Sequence, residues 1–213
     1  MRERLVRELQ RAIEDLLKPA AERNDRHSAV KAAERQAIAY TWYRWTQELF
    51  CDAVGLTIGG PCFLRAFSGY LGTMERGDFY RVPADLRYST HPVKWLRIKL
   101  LIERAKGAGF CEVAQEVQEE WNAVATTMSV TEDYHGFYDR SFEQWVLKAV
   151  NDMLVEADPR SCSADEADGR QGAPGPGLIV SVLNRAWQAH GEDPEGYAAW
   201  ETAAIGELLS API

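Results

Sequence analysis

Two carboxylates, Glu48 and Asp52, lie inside an apolar stretch of this 213-residue chain. Apolar side chains recur there at helical spacing, which predicts a helix that is buried on most sides; they are Trp42, Trp45, Leu49, Phe50, Ala53 and Val54. Because residues four apart lie one turn apart on the same helix face, the two carboxylates repel each other. Buried carboxylates are costly unless they are paired, hydrogen-bonded or bound to a metal. The pair therefore predicts a compensating group: a cation, a histidine or a shared proton.

A structural explanation of the same pair requires no site. Glu48 or Asp52 could lie on an exposed strip of a partly buried helix, or could form an ion pair with a nearby arginine. A second stretch favours a chemical role, because the sequence Ser-Thr-His-Pro at 89–92 directly precedes a predicted helix over 93–101. A proline in the first turn after a Ser or Thr cap is a typical helix start.

Together the two stretches resemble the later part of the HExxH zinc metallopeptidases of the gluzincin kind, which include the CAAX prenyl proteases and the membrane protease HtpX. In that family, an E-x-x-A-D motif carries the third zinc ligand, and a Thr-His-Pro followed by an Arg-Ile helix comes later. Here Glu48-x-x-Cys51-Asp52 is similar to the first motif, with cysteine in place of alanine. Thr90-His91-Pro92 and Arg97-Ile98 are similar to the second. The resemblance covers roughly residues 40 to 105.

The resemblance implies a role for each polar residue. Glu48 would coordinate zinc through a carboxylate oxygen, and Asp52 would orient a ligand or a neighbouring histidine. We expect His91 within hydrogen-bonding reach of Asp52, or one water away, with Glu48 one turn along and facing a partly open cleft. In the family, zinc activates water and the glutamate of HExxH acts as the base for peptide hydrolysis.

The chain departs from the family in one important respect, because it contains no HExxH. No two of its histidines are four residues apart; they are His27, His91, His135 and His190. A catalytic zinc needs about three protein ligands, so two ligands and the base are missing. We therefore assign no catalytic residue and expect no tightly bound zinc. The chain is predicted to be either a truncated fragment of a larger protease or an inactive relative, and an in-frame HExxH in the DNA upstream of Met1 would distinguish these.

The alternative function is a non-enzymatic helical module that binds a protein or peptide partner through apolar helix faces. A net charge of -8 does not favour nonspecific binding to nucleic acid or to an anionic membrane. No apolar run approaches the roughly 18 residues that indicate a membrane span. The N-terminus is charged and does not resemble a signal peptide, which predicts a cytoplasmic location. The oligomeric state is left open.

The four cysteines form no C-x-x-C pair; they are Cys51, Cys62, Cys111 and Cys162. In a chain without an export signal they are expected to be reduced, with three of them packed as small apolar side chains. A catalytic cysteine needs a partnering base, and the sequence indicates no such pair.

Helical periodicity recurs along the chain and no strand pattern is evident, so the predicted fold class is all-α. Helices are predicted over 1–23, 28–57, 62–71, 90–106, 110–127, 138–157, 178–190 and 193–209. The predicted domains are a metallopeptidase-like helical core over 1–157, a flexible linker rich in Gly and Pro over 158–177, and a C-terminal helical hairpin over 178–213 that packs on the core.

Overall fold

A computed structural model describes residues 26–72, 91–129, 140–170 and 176–210, together with six helical residues between 4 and 15. Within these ranges the protein consists of eight helices and contains no strand, which confirms the all-α prediction. The helices are α1 (Arg26–Gly59), α2 (Pro61–Gly72), α3 (Lys94–Gly107), α4 (Cys111–Met128), α5 (Arg140–Ala157), α6 (Ala164–Ala167), α7 (Pro176–Glu192) and α8 (Tyr197–Ser210). None of the helices in the described ranges is both long and apolar enough to cross a membrane.

The first of two compact units contains residues 1–53, 74–100 and 119–158. Its core draws on α1, α3 and α5, and its buried side chains include Trp42, Trp45, Leu49, Leu96, Phe142 and Val146. The Trp42 ring lies edge-on to the rings of Trp45 and Phe142, at centroid distances of 5.3 and 5.6 Å. Buried aromatic rings contribute the largest apolar areas to a core. The prediction that the Trp42 segment is buried is therefore confirmed.

The second unit contains residues 54–73, 101–118 and 159–213. Gly60, at a φ of 63°, makes the turn between α1 and α2, and Pro61 begins α2, a position that suits proline. The Asn184 side chain accepts a hydrogen bond from the Cys62 amide at 2.9 Å and donates one to the Gly59 carbonyl at 3.3 Å. The side-chain amide of Asn184 thus satisfies backbone groups that the ends of α1 and α2 leave unpaired.

The described part of the predicted linker contains the short helix α6. Ser163 caps α6 and forms a reciprocal capping box with Glu166, whose buried carboxylate also pairs with Arg160. The next two helices, α7 and α8, begin and end within a few residues of the predicted hairpin, and Arg185 lies 3.5 Å from Glu207 between them. The proposed domain boundaries at 157 and 178 stay a prediction.

Candidate functional site

The residues predicted to form a site meet in the first unit, where α1 lies against the start of α3. Nδ1 of His91 lies 3.1 Å from Oε2 of Glu48. One turn further along α1, Arg97 contacts Asp52 with Nη2 2.6 Å from Oδ1 and Nε 2.8 Å from Oδ2. Nη2 of Arg97 also lies 3.9 Å from Oε2 of Glu48. We call these four residues the polar cluster.

Asp52 and Arg97 form the buried part of the polar cluster. Their side chains are 5% and 13% exposed. Two parallel N–H···O bonds match the planar guanidinium to the carboxylate, the strongest geometry for such a pair. The sequence predicted a compensating group beside the acidic pair, and that group is the cation Arg97. Such an ion pair with an arginine is the purely structural explanation given above for the two carboxylates.

Opposing effects act on the ionisation of Asp52. Burial raises the pKa of this carboxyl above its ordinary value, and this effect outweighs the hydrogen bond and the charge of Arg97, which lower the pKa. Glu48 raises the pKa slightly further, and His91 lowers it. Because the net shift of the pKa is upward, the ionised carboxylate is costly to bury and depends on Arg97 to offset that cost.

Glu48 and His91 form the accessible part of the polar cluster, with side chains 34% and 63% exposed. A protonated His91 would donate a charge-assisted hydrogen bond to Glu48. The sequence placed His91 within hydrogen-bonding reach of Asp52, or one water away. The structure places Nδ1 of His91 against Glu48 and pairs Asp52 with Arg97. His91 is also close enough to Asp52 to lower the pKa of that carboxyl, and a direct or water-mediated contact between the two stays a prediction. The cleft expected beside Glu48 stays a prediction.

In the polar cluster, the side chains that could donate to a metal ion are those of Glu48 and His91. Both oxygens of Asp52 already accept hydrogen bonds from Arg97. Across the ranges that the structure describes, no group of three or more His, Cys, Asp or Glu side chains could hold a metal ion. The guanidinium of Arg97 also repels a cation bound to Glu48. These residues alone do not fit a tightly held catalytic zinc, which needs about three protein ligands.

The four cysteines differ in burial from the sequence prediction. The prediction that three of them pack as small apolar side chains is wrong, because Cys62 is buried, Cys162 is half-buried, and the other two are exposed. Burial raises the pKa of the Cys62 thiol to about 11, and burial with the nearby charge of Glu166 does the same for Cys162. Neither thiol is therefore ionised at neutral pH, and the thiolate is the reactive form.

Comparisons with known proteins identify no relative, so the geometry of the polar cluster is the main evidence on function. The chain matches no family model, no curated protein and no solved structure. The metallopeptidase origin thus stays a prediction that rests on the two motifs.

The sequence analysis did not assign a role to Arg97. The feature that could have indicated its pairing with an acidic residue is its position between the apolar residues Leu96 and Ile98, at the start of a predicted helix.

Proposed function

We propose that this protein is a metallopeptidase-related helical domain that presents Glu48 in the position of the family's third zinc ligand and is not catalytic alone. The observation that supports this proposal is the meeting of two motifs that lie about forty residues apart in the sequence. Glu48 and Asp52 come from the first motif, His91 and Arg97 come from the second, and together they form one polar cluster.

Each member of the polar cluster has a role in this proposal. Asp52 and Arg97 compensate each other's charge below the surface and hold α1 and α3 together. The side chain of Glu48, one turn earlier on α1, is partly accessible, and the contact from His91 orients its carboxylate. In the resembled family the HExxH helix supplies the other two ligands and the base, so a segment that brings those groups would complete the site. We assign no hydrolytic step to the residues present.

A second candidate function is the non-enzymatic interaction module. Exposed apolar side chains on the C-terminal hairpin favour it, since α7 carries Ile179, Leu183 and Trp187 at its surface. The two candidates differ in their site, because the first depends on the polar cluster and the second depends on the hairpin. The expected cytoplasmic location accompanies both as a prediction.

The first testable consequence concerns zinc content. We expect the purified 213-residue chain, dialysed against metal-free buffer, to retain far less than one zinc per chain, because two protein donors hold a zinc ion too weakly to survive exchange. Elemental analysis measures this directly. A single zinc that survives dialysis would contradict the two-donor description, whereas weak and exchangeable zinc that depends on Glu48 agrees with it.

Peptidase activity provides the matching functional readout. The isolated chain should not cleave a denatured protein substrate above the rate of a Glu48→Gln variant, with or without added zinc. Cleavage that is lost in that variant would show that the chain is active by itself and requires Glu48, and it would overturn the assignment of no catalytic residue.

A further inference from the structure

One face of α7 exposes three large apolar side chains in a line. Ile179, Leu183 and Trp187 are 52%, 49% and 38% exposed. Their spacing of four residues places them on adjacent turns of the same face, over about 12 Å of helix length. We call these residues the α7 strip. Single exposed apolar residues are ordinary, but a continuous line of them marks an interaction surface.

Another face of α7 packs within the second unit. Its buried residues are Gly177, Val180, Ser181, Val182 and Asn184. The Ser181 hydroxyl donates a hydrogen bond to the Arg170 carbonyl at 2.6 Å. An amphipathic surface helix is expected to bury one apolar stripe and to show a polar face to solvent. α7 buries one face and still exposes the α7 strip, so its apolar surface exceeds what the described residues of its own unit cover.

The charged residues of the C-terminal hairpin are mostly acidic, although Arg160 and Arg170 of the preceding segment also lie against α7. Residues 176–210 contain one arginine and five carboxylates, which are Glu192, Asp193, Glu195, Glu201 and Glu207. The single arginine, Arg185, lies 3.5 Å from one of these carboxylates. Three of the others follow one another at the C-terminal end of α7 and are exposed; we call residues 192–195 the acidic turn.

We propose that the α7 strip and the acidic turn bind an amphipathic helix of a partner protein, whose apolar face covers the strip and whose basic residues lie against the acidic turn. Helix recognition of this kind uses apolar anchors at helical spacing, and flanking charges select the partner. A second copy of this chain is a poor occupant, because two acidic hairpins would bring like charges together. This inference does not depend on the role of Glu48.

Two synthetic peptides test the proposal on the full-length chain. Both carry the same leucine face at helical spacing; one has lysine and the other has glutamate at the flanking positions. Fluorescence anisotropy of the labelled peptides should show binding of the lysine peptide, with an affinity that falls as salt is added, and at least about tenfold weaker binding of the glutamate peptide.

Variants of the chain separate this surface from general attraction between an acidic protein and a basic peptide. Leu183→Glu should weaken binding of the lysine peptide by about tenfold or more, because it places a charge in the apolar contact. Val155→Glu is the matched control, since Val155 is 82% exposed on α5 in the other unit. It should change the affinity by less than about twofold, because it adds the same charge at an exposed position outside the α7 strip. Replacing Glu192, Asp193 and Glu195 with lysine should reverse the preference between the two peptides.

Each alternative result overturns the proposal. Equal affinity for both peptides would show that the acidic turn does not select basic residues. Equal losses of affinity from Leu183→Glu and Val155→Glu would show that the α7 strip is not the binding surface. Sedimentation analysis covers the remaining case: a dimer that Leu183→Glu dissociates would make a second copy the occupant. Circular dichroism of each variant checks that the substitution leaves the fold intact.

Discussion

Replacing Trp45 with alanine is expected to lower the free energy of unfolding by about 3–5 kcal/mol, as large-to-small changes in a core do. The Trp45 side chain is fully buried and lies edge-on to Trp42 at 5.3 Å. Removing the indole loses its buried apolar area and leaves a cavity between α1 and its neighbours in the first unit. Denaturant melts followed by circular dichroism measure the change.

The chain provides a control of the same residue type. Trp145 of α5 is 43% exposed, so Trp145→Ala creates no enclosed cavity and should cost less than about 1 kcal/mol. If the two substitutions cost the same, the aromatic centre around Trp42 and Trp45 would not be the core of the first unit.

The second large effect is expected from Arg97→Ala, at about 3–5 kcal/mol of unfolding free energy. The substitution leaves the Asp52 carboxylate buried without the two hydrogen bonds that now satisfy it. Breaking one partner of a buried pair costs more than the pair itself contributes, because an uncompensated charge remains. Thermal or denaturant melts at neutral pH test this.

The pH dependence of that deficit follows from the ionisation of Asp52. Burial already raises its pKa, and loss of Arg97 removes the two largest of the three effects that lower this pKa, so the pKa rises further in the variant. A carboxyl whose pKa is higher in the folded state contributes stability at low pH, and this contribution is lost as the pH rises through the folded pKa. The deficit of Arg97→Ala should therefore shrink as the pH falls toward about 3.9, the ordinary Asp value.

An exposed ion pair is the control for this substitution. Arg65 and Glu116 lie 2.7 Å apart, with side chains 31% and 50% exposed. Arg65→Ala should cost less than about 1 kcal/mol and should lack the same recovery in acid. Equal costs for the two arginines, or a deficit for Arg97→Ala that grows in acid, would contradict the assignment of Arg97 as the partner that keeps Asp52 ionised.

Much of the fold could be predicted because it is encoded locally. The apolar spacing from Trp42 to Val54 marks the buried face of α1, and Gly60 with Pro61 marks the boundary between two helices. Cys51 shows the limit of this reasoning: the residue is of a type that is often buried, yet it is exposed on α1. Its burial depends on which side of the helix the neighbours cover, and residue type does not determine that.

The polar cluster could be predicted in part, for a related reason. The two motifs predicted that Glu48, Asp52 and His91 would come together, and the structure places His91 against Glu48, one turn from Asp52 on α1. Which side chains form pairs depends on how far one helix is shifted along the other, and a shift of one residue is only about 1.5 Å. Periodicity contains no information on that shift. The sequence analysis therefore left an arginine as one open partner of Asp52, and the structure identifies it as Arg97.

Paramagnetic metal titration tests the central claim, that Glu48 is placed to bind a metal ion, most directly. Cobalt(II) accepts the same nitrogen and oxygen ligands as zinc and broadens the amide signals closest to it. In spectra of the nitrogen-15-labelled chain, the signals of Glu48 and His91 should broaden first, and Glu48→Gln should abolish this, whereas Glu116→Gln should not. Broadening that begins elsewhere, or that persists unchanged in Glu48→Gln, would contradict the proposed role of Glu48.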